Sequence, residues 1–232
     1  MSLKFVITGG AGFIGSAVIR HILNNTEHSI VNIDNLTYAG NLESLKSVEN
    51  DSRYIFHKVD ICNQEEIEHI FNKHQPDIVM HLAAESHVDR SIDNPLSFVD
   101  SNLVGTSKVL ELVRKHKARM VHVSTDEVYG HLGKSDPPFT EDSPLSPRSP
   151  YSATKAGSDL LVQSYITTFG VDASITRCCN NYGPRQHTEK LIPTAINALI
   201  NGKKIPVYGN GIQKREWIYV KDFCEILVKF VN

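Results

Sequence analysis

The sequence predicts an α/β protein, a doubly wound parallel sheet followed by a smaller, truncated C-terminal lobe. Three observations carry that reading. Apolar runs of strand length alternate with longer segments of helical period, the pattern of successive βαβ units. A glycine-rich turn joins the first strand run directly to the first helical segment. After about Asn180 the alternation stops, and Gly, Pro and aromatic residues punctuate short segments.

The elements follow in order. The predicted strands are Lys4–Thr8, Ser29–Ile33, Tyr54–Lys58, Ile78–Leu82, Met120–Ser124 and Ala173–Arg177, short runs rich in β-branched and aromatic residues. Between them the helical period falls on Phe13–Asn25, Glu65–His74, Pro95–His116 and Tyr151–Phe169. Right-handed crossovers place functional groups at the carboxyl ends of the strands. From Gly130 to Pro150 the chain carries five prolines and no period, which predicts a long loop of the kind that is usually functional or mobile. Apolar residues at 220, 223, 226, 227, 230 and 231 restore a helical period at the C-terminal end. The expected division is therefore 1–180 for the sheet domain and 181–232 for part of a second lobe.

Composition limits the function classes. The chain has 232 residues, 41% of them hydrophobic and 22% charged, with a formal net charge of −2. That is enough apolar material for a substantial core, which excludes global disorder, and it leaves no basic footprint for nucleic acid. No apolar run approaches the roughly 18 residues of a membrane span, and the first strand begins too early for a signal peptide to precede it. A soluble, cytoplasmic protein is expected. Cys62, Cys178, Cys179 and Cys224 form no CxxC pair, which argues against a disulfide framework. The eleven histidines lack the spacing of a metal site, so no metal is expected.

The first strand runs into Gly9-Gly10-Ala11-Gly12-Phe13-Ile14-Gly15 and then a helix. Glycines at this spacing allow a tight turn, close approach to a pyrophosphate and close packing of helix on strand, with phosphates at the helix N-terminus. Asp34 ends the next strand, where a carboxylate accepts both ribose hydroxyls. Together these predict a Rossmann-like dinucleotide site. With no Arg or Lys between Ile33 and Thr37 to meet a 2′-phosphate, NAD is favoured over NADP. Asp60, at the end of the third strand, suits the adenine rim or a helix N-cap equally.

Ser124-Thr125-Asp126 closes one strand and Tyr151-x-x-x-Lys155 opens a later helix. The i, i+4 spacing puts both side chains on one face, where the Lys155 charge is expected to lower the phenol pKa toward that of a base. Here the chain resembles the extended short-chain dehydrogenase/reductase family, and more closely its nucleotide-sugar 4,6-dehydratase branch. The resemblance rests on Thr8–Gly15, Asp34–Asn41, His81–Ser91, Ser124–Gly130, Ser149–Lys155, Asn180–Pro184 and Glu189–Pro193, in order along nearly the whole chain.

The resemblance implies a set of roles. Tyr151, supported by Lys155 and Thr125, takes the sugar C4 hydroxyl proton while hydride leaves C4 for NAD. Glu127 removes the C5 proton, Asp126 protonates the departing C6 hydroxyl, and hydride returns to C6. Opposite protonation states are then needed, and burial beside a neighbouring negative charge predicts a raised Asp126 pKa. Cofactor contacts implied are Gly9, Gly12, Phe13, Ile14, Gly15, Asp34, Asn35, Leu36, Thr37, Asp60, Ile61, Leu82, Ala83, Ala84, Ser86, Ser101, Tyr151, Lys155 and Asn181. For the apolar members, core packing competes with that role. Substrate contacts implied are Ser86, Thr125, Asn180, Lys190, Leu191, Pro206, Tyr208 and Arg215, with Lys190 and Arg215 suited to a diphosphate.

The implied substrate is dTDP-glucose and the pathway one of deoxysugar or rhamnose synthesis. A related nucleotide-sugar epimerase or decarboxylase shares the fold, NAD, Tyr151 and Lys155, but has no use for the Asp126–Glu127 pair. A non-catalytic NAD-binding fragment is the other alternative, because members of the family continue past Asn232. On that view NAD binds normally and sugar nucleotide weakly. Leu103, Val109, Leu110 and Val113 on one helix and Leu160, Leu161 and Tyr165 on another supply more than one apolar stripe. One stripe suits the sheet and the other a two-fold partner, as in family members that form homodimers, or solvent.

Overall fold

A computed structural model describes residues 2–207 and 209–231. Six parallel strands form the main sheet in the order β3-β2-β1-β4-β5-β6, with β1 Lys4–Thr8, β2 Ser29–Asp34, β3 Tyr54–Lys58, β4 Ile78–His81, β5 Arg119–Thr125 and β6 Ala173–Cys178. Each differs from its predicted bounds by at most one residue at either end. The order reverses between β1 and β4, which opens a crevice at their carboxyl ends.

β1 shows why such strands read as continuous apolar runs. Its residues alternate sides, with Phe5 and Ile7 in one core and Val6 in the other, so both faces must be apolar. The Phe5 side is covered by α1 (Phe13–Asn25) and the C-terminal helix, and the Val6 side by α2 (Gln64–His74) and two further helices described below. No described helix is long and apolar enough to cross a membrane.

The segment expected as a single helix, Pro95–His116, is helical from end to end but not uniformly α. The structure has α3 (Val88–Asp93), α4 (Pro95–Phe98), a π-helical stretch Val99–Gly105 and α5 (Thr106–His116). Asn102 turns its side chain away from the helix, accepting from Glu85 N at 2.9 Å and donating to Glu85 O at 3.1 Å. Gly105 abuts Ile61, whose Cδ1 would stand 2.5 Å from a Cβ there. The irregular turn therefore fits the chain against the loops at the sheet's edge.

α6 (Pro150–Phe169) has strong local signals: a Ser149–Ser152 capping box, Pro150 in the first turn and Gly170 at φ 67° after its end. The loop before it lacks regular structure, but Phe139 and Leu145 anchor it on Val128, Tyr129 and Ala156. Beyond β6, β7 (Asn180–Tyr182) pairs with β8 (Trp217–Tyr219), and α7 (Leu191–Ile200) lies between them in sequence. The predicted C-terminal helix is α8 (Val220–Lys229). It buries Val220, Phe223, Cys224 and Leu227 in the core shared with α1. The stripes expected on the long helices also sort themselves. Val109, Leu110 and Val113 are fully buried in the sheet core, whereas Leu160, Ile92, Leu96, Val99 and Val104 are exposed.

Candidate active site

A cavity of about 1260 Å³ occupies the crevice at the carboxyl ends of the strands. Its floor is the glycine turn. Gly9 has φ +72°, and a Cβ there would lie 2.6 Å from Ala83 N, while one on Gly15 would lie 2.2 Å from Gly9 O. Only hydrogen atoms fit at these two positions. α1 begins at Gly12 with no side-chain cap, so its first-turn N–H groups are left for a ligand on the cavity side. Asp34 is buried, accepting from Ala11 N at 2.9 Å and Leu36 N at 2.7 Å. Burial raises its pKa and these two bonds pull the other way. These features, a tight cradle at a helix N-terminus beside a fixed carboxylate, fit a dinucleotide.

The remaining expected cofactor residues nearly all face this cavity. Phe13, Ile14, Asn35, Thr37, Leu82, Ala83, Ala84, Ser86 and Ser101 all line it. Asp60, Ile61 and Asn181 line it as well. Leu36 is the exception, absent from the lining, with φ 56° and its N–H turned to Asp34. Asp60 is not a helix cap. α2 is capped by Asn63, and the Asp60 carboxylate accepts from Cys62 N at 2.8 Å and Asn35 Nδ2 at 2.9 Å, tying the two cofactor-side loops together.

Tyr151 and Lys155 stand on the first turns of α6 and both line the cavity with Thr125 and Glu127. Lys155 is buried and donates to Val123 O at 2.9 Å; burial lowers its pKa to about 8. The expected lowering of the Tyr151 pKa is not found. Burial raises it strongly, Glu127 raises it further, and the Thr125 hydroxyl only partly opposes them. Desolvation of the phenolate outweighs any help from the neighbouring ammonium. Asp126 and Glu127 begin a 3₁₀ turn, Asp126–Tyr129, capped by the Thr125 side chain. Asp126 accepts from Thr125 Oγ1 at 3.2 Å and does not line the cavity. Burial raises the pKa of both carboxyls and Arg215 lowers both, while the Asp126 charge adds to the rise at Glu127. Burial is the largest cause of the rise at each.

On the opposite wall, Asn180, Lys190, Leu191 and Arg215 line the cavity. Pro206 is exposed and absent from the lining, and Tyr208 lies outside the described residues. Lys190 Nζ donates to Ser86 O at 3.3 Å, and burial lowers its pKa. Several residues here were not singled out from sequence. Glu189 accepts from Arg90 Nε at 3.4 Å and lies 3.8 Å from His87 and 3.6 Å from His187. Arg90 covers the Tyr38 ring at 3.9 Å, so three segments distant in sequence meet beside the cavity. Arg90 and Glu189 belong to resembling stretches, which was the available signal; their pairing was not readable.

The chain matches the family model of GDP-mannose 4,6 dehydratase over residues 6–232. It is 52% identical to the dTDP-glucose 4,6-dehydratase of Neisseria meningitidis serogroup B, over 99% of this chain and 67% of that protein. The dTDP-glucose 4,6-dehydratase of Streptomyces venezuelae, solved with NAD and TYD bound, superposes with a TM-score of 0.94 at 43% identity, over 99% of this chain and 72% of that one. A UDP-N-acetylglucosamine 4-epimerase from Methanobrevibacter ruminantium, solved with UDP-N-acetylmuramic acid, gives a TM-score of 0.89 at 31% identity, over 98% and 72%.

Proposed function

We propose a function from one premise: the chain belongs to the GDP-mannose 4,6 dehydratase family. It is an NAD-dependent lyase that converts dTDP-glucose to dTDP-4-keto-6-deoxyglucose in deoxysugar biosynthesis. The observation that carries this reading is the convergence of the glycine turn, the Tyr151–Lys155 helix start and the acidic Asp126–Glu127 turn at the carboxyl ends of β1 and β5.

Gly9, Gly12, Gly15 and Asp34 would hold NAD, which supplies the hydride acceptor for C4 and the donor for C6. Tyr151 takes the C4 hydroxyl proton, with Thr125 holding the phenol oxygen and Lys155 supplying positive charge. Because burial keeps the phenol protonated, proton removal depends on positive charge that the loaded site brings. Once C4 is a ketone, Glu127 removes the acidified C5 proton and Asp126 gives a proton to the C6 hydroxyl, which leaves as water. Burial raises the pKa of both carboxyls, so the division into acid Asp126 and base Glu127 rests on the match to the family's motif. Lys190 and Arg215 meet the diphosphate, beside Ser86, Asn180 and Leu191.

The epimerase alternative is not favoured, since exchange at C4 needs no elimination pair and the epimerase neighbour is less similar than the dehydratases. The proposal includes a cytoplasmic location, where both NAD and nucleotide sugars are found, and a homodimer through the exposed Leu96 and Leu160 faces. It also divides the chain into an NAD-binding part, 1–180, and a substrate-binding part from 181, with α8 packed on the former. Turnover of dTDP-glucose against UDP-glucose tests the function. A 4-keto product from dTDP-glucose with no net reduction of NAD is expected; a C4 epimer without keto sugar would overturn the reading.

A further inference from the structure

Behind the catalytic helix lies a buried ionic chain that the proposed chemistry does not use. Asp159, one turn beyond Lys155 on α6, is completely buried. Its Oδ2 accepts from Arg177 Nε of β6 at 2.7 Å, and its Oδ1 lies 3.4 Å from His122 Nε2 of β5. His122 is equally buried, and burial together with the Lys155 charge lowers its pKa to about 4, so it is neutral and Arg177 is the charge partner. Arg177 also reaches outward. Its Nη1 donates to the Tyr129 hydroxyl at 2.8 Å, and its guanidinium carbon lies 5.1 Å from the centre of that ring. Tyr129 closes the turn that begins with Asp126 and Glu127, and its ring stacks on Phe139.

Burying an ion pair costs desolvation that attraction repays only with good geometry, so stability alone is a weak reason for this chain. What it does is connect. One end stands on the helix that presents Tyr151 and Lys155, and the other on the turn that presents Asp126 and Glu127. Besides the apolar packing of Val128 and Tyr129 on Ala156 of α6, the turn is held by three further hydrogen bonds, Glu127 N to Thr125 Oγ1, Gly130 N to Glu127 O and Ser146 N to Val128 O. None of these three reaches α6. We propose that Asp159, Arg177 and Tyr129 are positioning residues that lock the acid–base turn to the catalytic helix and so hold C5/C6 elimination in register with C4 oxidation. This rests on the proposed dehydration. A misplacement of about 1 Å can cost about a hundredfold in rate, which gives such a lock its effect.

Single-turnover kinetics separates the two steps, because reduced nicotinamide absorbs in the near ultraviolet only between C4 oxidation and hydride return. Tyr129→Phe keeps the ring and its stacking but removes the acceptor oxygen. The double variant Asp159→Asn/Arg177→Met removes both buried charges together, so neither is stranded. In Tyr129→Phe, oxidation is expected within about twofold of the parent while elimination slows about tenfold or more, so that reduced nicotinamide accumulates; in the double variant, which also loses the Asp159 charge beside Lys155, elimination is expected to slow more than oxidation. Equal slowing of both steps, or unchanged kinetics with only a lower melting temperature, would overturn the proposal. If the parent protein shows no substrate-dependent reduction, the dehydratase reading fails instead. Amide exchange of residues 126–129 in Tyr129→Phe then decides the lock: lost protection supports it and unchanged protection overturns it.

Discussion

The two walls of the cavity are built on different principles. The wall from β1, β2 and β4 is set by backbone: Gly9, Gly15 and Ala83 pack so closely that a methyl group has no room, and Asp34 is fixed by two main-chain N–H groups. The wall contributed after β6 is set by long side chains on irregular segments, among them Lys190 and Arg215. Its surroundings are open, with Leu191 56%, Val207 65% and Ile212 70% exposed. A backbone-built wall tolerates almost no substitution, whereas one built from side chains offers charge that can be trimmed one residue at a time.

Five substitutions would break or sharpen this contrast. The largest effect is expected at the glycine turn, where Gly15→Val should weaken NAD binding by more than about a hundredfold in calorimetry. Near-parental affinity would show that the turn is not the cofactor wall. Next, Asp126→Asn and Glu127→Gln should each lower turnover by about 10²–10⁴ while leaving NAD affinity intact. Full activity in both variants would remove their acid and base roles. Trimming the opposite wall, Arg215→Ala is expected to raise KM for the nucleotide sugar about ten- to a hundredfold with unchanged NAD affinity. A loss confined to NAD binding would place Arg215 on the wrong wall.

The smallest effect concerns stability. The Lys155 pKa falls from 10.5 to about 8 by burial, so between those values the unfolded chain holds a proton that the folded chain has released. Stability from this group therefore rises with pH across that window, by about 3 kcal/mol in total, and is lowest below pH 8. Lys155→Met should abolish turnover yet melt no lower than the parent at neutral pH, and should lose this rise in alkali. A large destabilisation at neutral pH would mean that the ammonium is well paired after all.

How far the chain could be read in advance follows the same contrast. The central strands β1, β2, β4 and β5 were legible because they are buried on both faces and must be apolar, the edge strands β3 and β6 because of their β-branched and aromatic residues, and α1, α2 and α6 because their caps or periods are local. The π-helical pitch of Val99–Gly105 was not legible, since it accompanies the contact of Asn102 with the backbone of Glu85. At the site, residue types and spacing identified the glycine turn, Asp34, Tyr151 and Lys155, while the direction of the Tyr151 shift was misjudged because burial cannot be seen in an i, i+4 spacing.

The sequence by itself determined the alternation of strands and helices, the glycine turn with Asp34, and the juxtaposition of Tyr151 with Lys155, because each depends on residues within a few positions or on a repeating period. Only the tertiary structure decided which carboxyls are desolvated, that Glu189 gathers Arg90 and two histidines, and that Asp159 reaches Tyr129 through Arg177. Those depend on distances between segments far apart along the chain, and a chain's own order carries no distance beyond the reach of its local bonds.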